Sequence, residues 1–141
     1  MTGKLLVAIQ VLALVYLAVT GPWLAPLSLV WLEIVALYLG AWAVVSFNPR
    51  QLRIAPEVAP GAKLVTRGPY RWIRHPMYAA VLLLMLSLVL TRPALGRVVA
   101  WLILLADLVA KLRYEETLLG KRFPEYSQYR KRTKRLIPFV Y

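Results

Sequence analysis

The sequence predicts an all-α integral membrane protein: a bundle of about four transmembrane helices whose last two form a hairpin, followed by a helical cytoplasmic tail. Three observations carry this prediction. The chain of 141 residues is 60% hydrophobic and only 17% charged, with a mean hydropathy of +0.62. A soluble domain lies nearer roughly one-half apolar and one-quarter charged. The apolar residues fall in long blocks rather than in an amphipathic rhythm, and the positive charge lies in two clusters flanking those blocks.

A helix needs about 20 apolar residues to span a bilayer. Leu5 to Thr20 is the first candidate, interrupted by Gln10 and able to extend to Trp23. It does not read as a signal peptide, since Lys4 is a thin basic flank and no small-x-small cleavage site follows. Gly21-Pro22 and Pro26 make an uncharged turn, and Leu27 to Phe47 is a second span carrying Glu33. Asn48-Pro49 stops it, because a proline disfavours helix in the residue before it. Residues 48–74 form a basic loop broken by Pro56, Pro60, Gly61, Gly68 and Pro69. Pro76 suits the first turn of a third helix running to about Leu90, where its missing N–H costs nothing. Thr91-Arg92-Pro93 turns the chain into a fourth helix, Ala94 to Leu112, containing Asp107. From Arg113 the chain is basic with aromatic residues interleaved. This divides the protein into an N-terminal helix pair, 1–47, and a region of loop, hairpin and tail, 48–141.

Four spans put both termini and the long loop on one side. That side carries Lys4, Arg50, Arg53, Lys63, Arg67, Arg71, Arg74 and the basic residues from Arg113 to Arg135; the other carries Arg92 and Arg97. The positive-inside rule therefore makes the basic face cytoplasmic. The net charge of +12 is explained by this topology, so no nucleic-acid partner is expected. The run Arg130 to Arg135 reads as a contact for anionic lipid headgroups. With no cysteine, and His75 the single histidine, disulfides, thiolate chemistry and a multi-histidine metal centre are excluded within one chain. Ala8, Ala13, Ala18, Ala36, Gly40 and Ala41 allow close helix packing, internally or in an oligomer.

Two cytoplasmic segments hold the chemistry-bearing residues. One is Gly68-Pro69-Tyr70-Arg71-Trp72-Ile73-Arg74-His75-Pro76-Met77-Tyr78; the other is Glu115-Glu116 followed by Leu119, Phe123, Tyr126, Tyr129 and Arg130. The hairpin returns His75 and Glu115 to one membrane level. The start of the third helix offers N–H groups to an anion, the glutamates offer acceptors to an ammonium or to hydroxyls, and the aromatic faces suit a base or a cation. Structural roles compete with each of these. His75 suits a cap of the third helix, and Tyr70, Trp72 and Tyr78 suit an interfacial aromatic belt. Glu115-Glu116 opposes the helix dipole near the expected end of the fourth helix, where basic neighbours can neutralise it. Asp107, one turn from Lys111, reads as half of an i,i+4 pair.

Gly68-Pro69-Tyr70-Arg71 leading into Arg74-His75-Pro76-Met77-Tyr78, then Glu115-Glu116, Phe123, Glu125-Tyr126, Tyr129 and Ile137-Pro138, resembles the isoprenylcysteine carboxyl methyltransferases. These belong to a wider group of membrane methyltransferases that includes the phospholipid N-methyltransferases. The resemblance covers residues 64–141. It implies an S-adenosylmethionine site on the cytoplasmic side, held by His75, Pro76, Tyr78, Glu115 and Glu116. Lys63 to Gly68 (with Leu64 and Val65), Tyr70, Leu119, Phe123, Tyr126 and Tyr129 would line it. Lys111 or Arg113 would hold the carboxylate of a lipid-like or isoprenoid acceptor, and an amine acceptor is the alternative. Two rivals remain. Membrane sterol reductases, which use NADPH, share an Arg-His-Pro-x-Tyr element and an end like Pro138-Phe139-Val140-Tyr141; the third possibility is a non-enzymatic protein binding anionic lipid.

Overall fold

The computed structural model describes residues 3–46 and 64–141. The expected end of the second span at Phe47, and the basic loop as far as Lys63, lie outside them. Among the described residues the structure is all-helical, with α1 (Gly3–Thr20), α2 (Val30–Ser46), α3 (Pro76–Thr91), α4 (Leu95–Arg122) and α5 (Tyr126–Arg132). A 3-10 turn over Gly68–Arg71 precedes α3, and a single parallel bridge joins Ile73 to Lys134.

Helix boundaries follow local chemistry. α1 ends at Thr20 rather than Trp23, because Gly21-Pro22 breaks it and leaves Trp23 in an exposed turn. α2 starts three residues later than Leu27. The Pro26 carbonyl accepts from the amides of Leu29 and Val30, so residues 26–29 form a turn, and the Glu33 carboxylate caps it by accepting from the Ala25 amide. Pro76 does open α3.

The largest departure is α4. It does not stop at Leu112 but runs 28 residues to Arg122, about 42 Å of helix at 1.5 Å per residue. Glu115 and Glu116 are therefore mid-helix. Lys121 and Arg122 occupy the last turn, where cations are favoured, so the expected conflict with the helix dipole does not arise.

α3 and α4 form the hairpin, with α1 packed along α4 and α2 along α3. Leu17 of α1 and Leu104, Leu108 and Leu112 of α4 are fully buried, with Leu82 and Val89 of α3 beside them. At the α2–α3 seam, Ala36 and Ala43 are buried, and a Cβ on Gly40 would sit 3.5 Å from that of Ala80. These small residues serve packing within the chain.

The polarity of the bundle is inverted relative to a water-soluble protein. Leu12, Val19, Leu37, Val45 and Leu95 are 61–82% exposed, while Glu33, Arg97, Asp107 and Lys111 are buried. Glu33 accepts from Ser87 across the α2–α3 seam. Arg97 donates to the carbonyls of Leu17 and Leu88 and to Thr20 Oγ1. It thereby serves carbonyls near the ends of α1 and α3, the second of which also accepts a long bond of 3.4 Å from the Arg92 amide. By length and composition α1 is the one described helix long and apolar enough to cross a membrane; α2 and α3 are apolar but shorter.

Candidate active site

The site is built where the segment before α3 and the C-terminal tail both meet α4. Gly68 fixes the approach. Its φ is +60°, and a Cβ there would lie 2.0 Å from Ser46 Oγ at the end of α2, so only glycine lets the 3-10 turn sit this close. Arg67 Nε donates to the Ser46 carbonyl at 3.1 Å, and Trp72 meets Trp42 edge-on at 5.6 Å.

From Trp72 the chain runs beside the tail. The Lys134 amide donates to the Trp72 carbonyl, the Arg74 amide to Lys134, and the His75 amide to Arg135. Tyr129 Oη donates to the Tyr70 carbonyl at 2.7 Å. This lacing delivers Arg74 and His75 to the glutamates of α4.

His75, buried just ahead of α3, places Nδ1 3.6 Å from Glu115 Oε2 and Nε2 3.6 Å from Glu116 Oε1. These contacts are too long for hydrogen bonds. Its ring lies parallel to that of Tyr78, which donates to Glu115 Oε1. Glu116 is gripped from both sides, by Arg74 Nε at 2.7 Å and Arg135 Nε at 3.1 Å. Arg74 also donates to the carbonyls of Arg130 and Thr133 and to Thr133 Oγ1, and Arg135 donates to Tyr141 Oη.

The two neighbouring carboxyls are pushed apart by these surroundings. Burial raises Glu115, and its contacts with His75, Tyr78 and Lys111 offset this only in part. Burial acts on Glu116 in the same sense, but His75, Arg74 and Arg135 outweigh it and hold that carboxyl down at about 2. Glu116 is thus a fixed anion whose oxygens are already engaged. Burial, with Glu116 nearby, pushes Tyr126 up to about 12.

Beyond Glu116, at the α4–α5 elbow, lies an open cleft of about 460 Å³ lined by Glu116, Gly120, Pro124, Tyr126, Ser127, Arg130 and Lys131. That is within the size range of small-molecule sites. On its lining the buried Tyr126 Oη has no hydrogen-bond partner, and neither has the buried His75 Nε2, 3.6 Å from Glu116 Oε1. Unsatisfied buried groups of this kind call for an explanation, and a ligand is one.

Of the residues singled out from the sequence, His75, Pro76, Tyr78, Glu115 and Glu116 come together, with Tyr126 on the cleft and the tilted ring of Tyr129 5.9 Å from it. Leu119 and Phe123 are half-buried at the elbow, where the Phe123 amide caps α4 on the Leu119 carbonyl. Leu64 and Val65 are half-buried ahead of the 3-10 turn, and Tyr70 is buried within it. Lys111 and Arg113 differ. Lys111 is 1% exposed, with Nζ 2.7 Å from Gln10 Oε1 and 5.6 Å from the centre of the Tyr78 ring, whereas Arg113 is exposed beside the Tyr141 hydroxyl. Lys111 and Asp107, one turn apart, act on each other electrostatically without a close ion pair, and the hydrogen bond of Lys111 goes to Gln10.

The sequence assigns no site role to Gln10, Arg135 or Arg74, although Arg74 stands in the Arg74-His75-Pro76-Met77-Tyr78 element. Gln10 reads as an interruption, Arg74 as topological charge and Arg135 as lipid contact. The adjacency of Arg74 to His75-Pro76 was the one available signal for that residue.

The sequence profile of the phospholipid methyltransferase family matches residues 9–126. The chain belongs to that family. It is therefore related to membrane-associated methyltransferases, and the match includes both His75-Pro76 and Glu115-Glu116. It is also 40% identical over 77 residues to the cobalt-zinc-cadmium resistance protein CzcN of Cupriavidus metallidurans, covering 53% of this chain and 35% of that protein. Over 62 residues it is 40% identical to the uncharacterized protein YpbQ of Bacillus subtilis, covering 38% of this chain and 34% of that protein. The aligned stretches span about a third of each relative's length.

Proposed function

We propose that the protein is an S-adenosylmethionine-dependent methyltransferase acting on a lipid-like or isoprenoid acceptor at a membrane face. The observation that carries this reading is the convergence of His75, Tyr78, Glu115 and Glu116, the last of which lines a cleft, with unsatisfied buried polar atoms on His75 and on the cleft residue Tyr126, in a member of a methyltransferase family. The donor set fits the cofactor. Glu115 can accept from an ammonium or from ribose hydroxyls, and His75 Nε2 and Tyr126 Oη have unused hydrogen-bonding capacity. The first turn of α3 leaves N–H groups for a carboxylate. Glu116, committed to Arg74 and Arg135, supports this arrangement by holding the tail against the site.

When bound, S-adenosylmethionine supplies a sulfonium-activated methyl group. The protein's task is then to hold a nucleophile in line and exclude water, which can account for much of the barrier reduction. His75, buried and flanked by two carboxylates, acts as a cofactor ligand. A carboxylate acceptor would meet Lys111, which faces the Tyr78–Glu115 side of α4, rather than Arg113; an amine is the other acceptor consistent with the family.

The inverted polarity of the bundle supports four membrane spans formed by α1, α2, α3 and the first two-thirds of α4. Basic residues at the His75 end then make that face cytoplasmic by the positive-inside rule. Exposed Trp72, Phe139 and Val140 beside Arg130, Lys131, Arg132 and Lys134 suit an interface with anionic headgroups.

Calorimetric titration of the purified protein with S-adenosylhomocysteine, NADPH and anionic vesicles tests this reading. Saturable S-adenosylhomocysteine binding, weakened about tenfold or more by His75→Ala and Glu115→Gln, is the expected result. Binding of NADPH alone would favour a reductase, and vesicle binding alone a non-enzymatic lipid-binding role.

A further inference from the structure

Residues 136–141 form a closed loop. The Leu136 and Ile137 amides both donate to the Tyr141 carbonyl, and the Val140 and Tyr141 amides donate to the Ile137 carbonyl. The two ends of the loop are seated on the bundle: Leu136 joins the buried cluster of Leu108 and Leu112 on α4, and Tyr141 packs against it. The tip is not seated. Ile137, Phe139 and Val140 are 55%, 89% and 72% exposed. Phe139 also has a φ of +67°, in the left-handed region that a bulky aromatic residue disfavours. Such strain persists where something compensates for it, yet the Phe139 side chain lies almost wholly outside the fold. Scattered exposed apolar residues are ordinary, whereas a group of them marks a contact surface. The charge of the tail says what kind. From Thr117 onward the chain holds seven basic residues against one acid, Glu125, and Arg130, Lys131, Arg132 and Lys134 are exposed. An anionic bilayer face matches both features, with acyl chains for the tip and headgroups for the cations.

We propose that residues 137–140 are a wedge that inserts into the anionic face of the bilayer, and that insertion tightens cofactor binding at the His75 cluster. The second half rests on the methyltransferase reading; the first does not. Arg135 connects the two places. Its guanidinium lies 5.1 Å from the centre of the Tyr141 ring and donates to Tyr141 Oη at 3.1 Å. Its Nε donates to Glu116 Oε2 at 3.1 Å, and Glu116 Oε1 lies 3.6 Å from His75 Nε2. The backbone makes the same link, since the His75 amide donates to the Arg135 carbonyl at 3.0 Å. A bilayer that holds the tip therefore holds Tyr141 and, through it, Arg135. The cofactor then binds residues that are already ordered, at a lower entropic cost. Linkage makes the effect reciprocal, so bound cofactor equally favours insertion.

The test uses full-length protein in nanodiscs of phosphatidylcholine alone or of phosphatidylcholine mixed with phosphatidylglycerol. The chain has no cysteine, so Phe139→Cys takes a single nitroxide label. In the anionic discs the label is expected to be shielded from a water-soluble nickel chelate and accessible to oxygen; in the neutral discs it is expected to lie in water. S-Adenosylhomocysteine is expected to bind the unlabelled wild type at least about fivefold more tightly in the anionic discs, the lower end of ordinary coupling between sites. The difference should shrink at high salt and in Arg132→Gln/Lys134→Gln. It should vanish in Phe139→Ser/Val140→Ser, which leaves the cofactor cluster and both seated ends of the loop intact. A label open to the chelate in both discs would overturn insertion, and one shielded equally in both would overturn the requirement for anionic lipid. Equal wild-type affinities in the two discs would overturn the coupling. Absence of S-adenosylhomocysteine binding in either disc would overturn the methyltransferase reading and the coupling with it, while the label still decides the wedge.

Discussion

Replacing Glu116 by glutamine removes the charge that Arg74 and Arg135 share while keeping the side chain's shape. The side chains of Glu116 and Arg74 are each 6% exposed, so the loss is little screened by solvent. The carboxyl is held at about 2 against an ordinary value of 4.5, which corresponds to about 3 kcal/mol of folding free energy at 1.36 kcal/mol per pH unit. That agrees with the roughly 3–5 kcal/mol measured when one partner of a buried ion pair is removed. Because the folded-state value lies below the unfolded one, the contribution is complete above pH 4.5 and is lost as pH falls through about 2. Thermal unfolding in nanodiscs should therefore give a midpoint for Glu116→Gln lower by about 10 °C at neutral pH. The gap should close toward pH 2 as the wild type falls to meet the variant. Equal midpoints at neutral pH, or a gap unchanged in acid, would refute the view that this carboxylate anchors the tail.

Arg97→Met should cost about 1–3 kcal/mol, since it removes the Arg97 bonds to the Leu17 carbonyl and Thr20 hydroxyl and leaves the Leu88 carbonyl with only the long bond from Arg92; an unchanged unfolding midpoint would count against this. Gly68→Ala should cost about 1–3 kcal/mol from its positive φ and the overlap with Ser46. Adding Ser46→Gly should recover only the steric part, measured as a partial return of the midpoint. Tyr129→Phe removes one hydrogen bond to the Tyr70 carbonyl and should lower stability by about 1 kcal/mol, leaving the midpoint well above that of Glu116→Gln.

The parts of the site carried on regular helix were readable beforehand. His75-Pro76 and Tyr78 sit at a helix start marked by proline, and a hairpin of roughly matched arms returns Glu115 to their level. The extent of α4 was not readable. The polar stretch from Arg113 onward looked like the end of a span, whereas the helix continues as a mainly exposed amphipathic rod once past the bundle. Arg74 and Arg135 were missed because their partners are 42 and 19 residues away in sequence. They meet only because the tail lies beside residues 72–75, and backbone pairing across such a distance leaves no periodic trace.

The sequence by itself determined the all-helical class, the hairpin, the uneven distribution of positive charge and the residue types of the candidate site, since each depends on local composition and spacing. Tertiary structure alone decided which charges are paired. Gln10 takes the hydrogen bond of Lys111, Arg97 closes the ends of two helices, and Glu116 is claimed by the tail while Glu115 remains beside His75. The physical reason is that a buried charge must find its counterpart wherever the packing brings a donor or acceptor within about 3 Å. In this bundle those counterparts come mostly from other helices and from the tail.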